Sequence, residues 1–95
     1  MLVPTHVFAS PLLAIIEEAV ALEDALTRQR FPRACHHTRI IVLRAQGAGL
    51  HSITGCGLVL LEALTAAALP PAHAVVLALG ALSLAIEGAM DRETL

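Results

Sequence analysis

The chain has no lysine, asparagine, tryptophan or tyrosine, and only two phenylalanines and two cysteines. Each shortage excludes something. Cys35 and Cys56 are too few for a disulfide framework, and without a secretory signal they read as reduced thiols in a cytosol. Residues 1–10 carry no basic n-region, and Pro4 interrupts their short apolar stretch, so they read as an N-terminal extension instead of a signal peptide. The shortage of aromatics removes the stacking platforms of single-strand nucleic-acid binders and the Trp/Tyr belt of a membrane span. With no lysine, all basic side-chain charge at neutral pH is arginine, a bias that fits a GC-rich coding sequence such as that of a high-GC bacterium. Charge of any sign is scarce.

What is present is aliphatic. Hydrophobic residues are 57% of the chain and charged residues 15%, where an average soluble domain has about 45–50% and about 25%. So much apolar surface offsets the entropy of ordering and excludes a disordered chain. Ninety-five residues is one domain's worth of chain, enough for a modest core. The question the composition raises is what covers the excess.

The charges are segregated. Glu17, Glu18, Glu23 and Asp24 form an acidic block, and no acidic residue follows until Glu62. The gap holds Arg28, Arg30, Arg33, Arg39 and Arg44, with His36, His37 and His51. Such asymmetry marks either an anionic partner or a basic segment that pairs with the acidic helix beside it.

The periodicity predicts an all-α fold, a small three- to four-helix bundle with an apolar C-terminal helical hairpin, as a single domain over 1–95. Helix 1 is expected over 11–30, with Ser10 as N-cap and Pro11 at the first helical position. Leu12, Ile15, Ala19, Leu22 and Leu26 recur at alternating spacings of three and four, and Pro32 is expected to stop the helix. The segment 33–46 contains the run Ile40-Ile41-Val42-Leu43, which reads as strand or helix. A lone strand has nothing to pair with, so helix is expected, ending at Gly47 and Gly49. Helix 3 is expected over 52–69 with Ser52 or Thr54 as cap, and helix 4 over 71–90 after Pro70-Pro71.

Helix 4 is apolar nearly all round. Val75, Leu79, Leu82 and Ile86 make one stripe, and Ala74, Ala78, Ala81, Ala85 and Ala89 a small-residue ridge beside it. Leu77 and Leu84 point the other way, and only a strip through His73, Gly80, Ser83 and Glu87 is polar or small. A helix of this kind is buried inside something. Bilayer insertion is one answer. Against it, Pro70-Pro71 divides the uncharged stretch into lengths below the roughly 20 residues a span needs, and Glu62 and Glu87 would lie at awkward depths. Association with protein is the other.

No motif carries chemistry. Cys35-His36-His37, His51 and Cys56 are zinc-ligand types, but three consecutive residues splay around a helix, and His51 and Cys56 are five apart, off the shared-face spacing. Cys56 between Gly55 and Gly57 has no assignable general base. The glycines match neither phosphate-binding pattern. No catalytic residue, cofactor or metal is therefore expected. The expectation is a non-catalytic, cytoplasmic regulatory protein, homodimeric, that binds and masks an apolar surface of a partner protein such as a transcription regulator, as an anti-activator or inhibitor does. Its interface is expected at Leu58, Leu61, Val75, Leu79, Leu82 and Ile86, with Arg33, Arg39 and Arg44 as a basic rim. A membrane-inserted helical hairpin and a small Arg-rich nucleic-acid-binding dimer are the alternatives.

Overall fold

The computed structural model describes residues 11–66 and 70–94, and the side chains of all of these except 93 and 94. Four helices run in order: α1 (Pro11–Thr27), α2 (Phe31–Gly47), α3 (His51–Thr65) and α4 (Ala72–Thr94). Among the described residues there is no strand, and the chain is the small all-α bundle its periodicity implies. The Ser10 cap and the last residues of the expected helix 3, 67–69, lie outside the described residues.

The first two corners are built alike. Gln29, at φ 56°, ends α1, with Arg30 N–H donating to Ala25 O at 2.8 Å and Gln29 N–H to Leu26 O at 3.0 Å. Gly49, at φ 73°, ends α2, with Leu50 N–H donating to Ala45 O at 2.9 Å and Gly49 N–H to Gln46 O at 3.2 Å. Both are Schellman turns, which satisfy carbonyls the helix end would leave unpaired. Gly49 holds the left-handed conformation freely; at Gln29 it costs about 1–2 kcal/mol.

These turns move the helix boundaries. The Schellman turn stops α1 at Thr27, and Pro32 lies in the first turn of α2, where its missing N–H breaks no helical bond. Arg30 and Leu50 occupy the N-cap positions of α2 and α3 without a side-chain cap. Neither Ser52 nor Thr54 caps α3, and the Thr54 hydroxyl instead donates back to Leu50 O at 3.1 Å. The run Ile40 to Leu43 is helical, inside α2.

Each helix packs chiefly against its neighbours in the chain, while α1 and α4 touch over a short region. The core takes Leu12, Ile15 and Leu22 from α1, Ile41 from α2, Ile53, Leu60 and Leu64 from α3, and Val75, Leu82 and Ile86 from α4. Thr38 is fully buried in α2, its hydroxyl satisfied by Ala34 O at 2.8 Å. No buried side-chain polar atom among the described residues lacks a partner. The α2–α3 contact is close enough that a Cβ at Gly57 would sit 2.7 Å from Val42 Cγ2.

Candidate functional site

The stripe Val75, Leu82, Ile86 faces inward, and all three are buried in the protein's own core. Leu79 and Leu61 are half-buried against that core. Of the six residues expected at an interface, Leu58 alone is exposed, at 50%. The alanine ridge follows the same division: Ala78 and Ala89 are buried, Ala74 and Ala85 half-buried, and only Ala81 is exposed. The ridge thus packs α4 into its own bundle.

Val20 on α1 and Leu43 on α2 are singly exposed, at 64% and 67%, while on α4 a group of exposed aliphatic residues lies on the side opposite the core. Val76, Leu77 and Leu84 are 66%, 61% and 69% exposed. They surround Gly80, itself exposed and with nothing within 4 Å of the position a Cβ would take. His73 and Glu87 close the face at its two ends, both exposed. On α3, Val59 adjoins Leu58 and is also exposed. The signal for this face was legible: His73, Leu77, Gly80, Leu84 and Glu87 repeat at spacings of four and three. A stronger aliphatic stripe on the same helix hid it.

Length adds a second property. α4 runs past Glu87 and Asp91, so the apolar helix Ala72–Arg92 is long enough to cross a membrane, with 28% of its most apolar window buried in the bundle. Counting uncharged residues to Ile86 understates it, because helix ends and charges do not coincide.

An open groove of about 620 Å³ lies where the α1–α2 corner meets the start of α4. Leu26, Phe31, Pro71, Val75 and Leu79 line it, with Gln29 its polar side chain. It offers apolar shape and no reactive group.

The basic residues do not gather. Arg33, Arg39 and Arg44 are exposed on α2 and make no ion pair among the described residues. Arg33 and Arg44 share a line, three turns apart, while Arg39 lies about 120–140° round the helix from them. The acidic helix contacts α2 through a different group: His37 Nδ1 and Glu18 Oε1 are 2.7 Å apart. Arg28 pairs with Asp24 at 3.0 Å within its own stretch of chain. His36 packs edge-on against His37, ring centroids 5.3 Å apart, and His51 is exposed. Cys35 is buried and Cys56 half-buried, and both are free thiols. Among the described residues no three His, Cys, Asp or Glu side chains stand close enough to hold an ion.

No protein-family model, curated protein or solved structure matches the chain. Geometry alone therefore carries the functional reading.

Proposed function

We propose that the protein is a non-catalytic interaction protein that binds and masks an apolar surface of a partner protein, in the manner of an anti-activator or inhibitor. The observation that supports this is the outer face of α4. Val76, Leu77 and Leu84 stand exposed on one side of a helix whose other side already fills the core. At roughly 100° per residue the three fall within an arc of about 100°, with Leu77 and Leu84 stacked at i and i+7, a spacing that helix-in-groove contacts use. Removing large aliphatic groups from water contributes about 1.5–3 kcal/mol for each one fully covered. Leu58 and Val59 add exposed apolar groups on α3, the helix packed against α4. In this reading occupancy is the activity, because Val76, Leu77 and Leu84 act by being covered.

A photo-cross-linking residue in place of Leu84, introduced in the native cell, tests the reading. Expected is a discrete adduct with one foreign protein, lost when Leu77→Asp is added while the helical signal persists. Adducts with lipid alone, or none, would overturn it. The length of α4 favours a second reading, a hairpin inserted in a bilayer. That reading requires the chain to sediment with membranes and to leave them only in detergent.

A further inference from the structure

On the outer face of α4 two pairs of residues stand at equal distances from Gly80, while Leu77, three before it, is matched by Ser83 three after. Seven residues before it stands His73 and seven after it Glu87; four before it stands Val76 and four after it Leu84. All four are exposed, and neither His73 nor Glu87 has a hydrogen-bond or ion-pair partner among the described residues. The centre of the face is the one place on it where no side chain holds a neighbour away, since nothing lies within 4 Å of the absent Cβ of Gly80.

We propose that this face pairs with the same face of a second copy of the chain, the two α4 helices antiparallel and crossing at Gly80. A two-fold axis through the crossing repeats every contact twice. It sets His73 opposite Glu87 of the second copy, and Val76 opposite Leu84 of the second copy. A parallel pair would set His73 against His73 and Glu87 against Glu87, like with like at both ends. Direction therefore follows from complementarity, because the antiparallel register sets an imidazole N–H donor against a carboxylate at both ends and the parallel one sets two carboxylates together. Closeness follows from Gly80, because two backbones without Cβ atoms at the crossing approach until the flanking aliphatic side chains meet. The inference rests on α4's outer face being a protein-binding surface, and it names an occupant that a foreign partner must displace.

Sedimentation of the full chain without detergent, across a dilution series, reads the pairing. Expected is a dimer that dissociates on dilution. Gly80→Glu puts two like charges at the crossing and raises the dissociation constant by at least ~10-fold. It leaves the protomer helical, because its Cβ meets open space. His73→Glu weakens the dimer, and adding Glu87→Arg to it restores association, which only an antiparallel register can do. A chain that is monomeric at every concentration would overturn the proposal. So would a dimer indifferent to Gly80→Glu, or one in which Glu87→Arg fails to rescue. Loss of the foreign adduct with the dimer intact would sink the masking function alone; loss of the dimer with the adduct intact would sink only this inference.

Discussion

Gly55 and Gly57 stand two residues apart on α3 and have opposite surroundings. At Gly55, which is exposed, an added Cβ meets nothing within 4 Å. Gly55→Ala should therefore stabilise the fold by about 0.5–1 kcal/mol, the helix-propensity gain alone. At Gly57, which is buried, the same Cβ would sit 2.7 Å from Val42 Cγ2. Val42 is β-branched and held to one rotamer in a helix, so it cannot swing aside cheaply. The clash exceeds the propensity gain, and Gly57→Ala should cost about 1–2 kcal/mol net. Urea denaturation checks both. Adding Val42→Ala should make the double variant more stable than the sum of the single losses implies. Equal stabilisation by the two alanines would show that α2 and α3 do not approach so closely. At this scale the sequence was only partly legible. Gly49 announces its turn because glycine favours positive φ, but Gln29 adopts the same conformation with no such signal, and Pro32, a stop signal by its ring, opens α2 instead.

The seam between α1 and α2 is where the two charged regions meet. Its polar contact is His37 to Glu18, with side chains 19% and 24% exposed, while Arg28 and Asp24 are 62% and 63% exposed. Water screens the second pair far more than the first. A double-mutant cycle with Glu18→Ala and His37→Ala should give a coupling of about 0.5–1.5 kcal/mol. The cycle at Arg28 and Asp24 should give about 0.3–0.5 kcal/mol, eroded first by added salt. Equal couplings in the two cycles would mean the α1–α2 seam is as open to water as the outer surface. The helices themselves were legible because the stripe Leu12, Ile15, Leu22 and the paired Pro70-Pro71 are strong signals. Which face of α4 is free was not, since a helix apolar on nearly every side does not declare its core. The protein's own bundle claims the strongest stripe and leaves the second one outside.

For the molecule as a whole, the sidedness of α4 separates a bundle in water from a hairpin in lipid. In a bundle, Leu82 is 1% exposed and Leu84 69%, two residues apart on one helix. Leu82→Asp buries a charge with no partner, a loss of several kcal/mol. Against a total stability of about 5–15 kcal/mol for a typical domain, that loss removes most of the fold. Leu84→Asp adds a charge in water and should change stability by no more than about 0.5 kcal/mol in the isolated chain. A bilayer makes no such distinction. There each substitution would cost about 2.5–3.5 kcal/mol, because lipid solvates every face of a helix that is not packed on protein. The bundle thus predicts that, diluted to the monomer, Leu84→Asp keeps the far-ultraviolet helical signal and the urea midpoint in detergent-free buffer, while Leu82→Asp loses both. If the two variants behaved alike, or if the parent chain were helical only in detergent, α4 would belong in a membrane. Its outer leucines would then be lipid-facing groups, not a ridge for a partner.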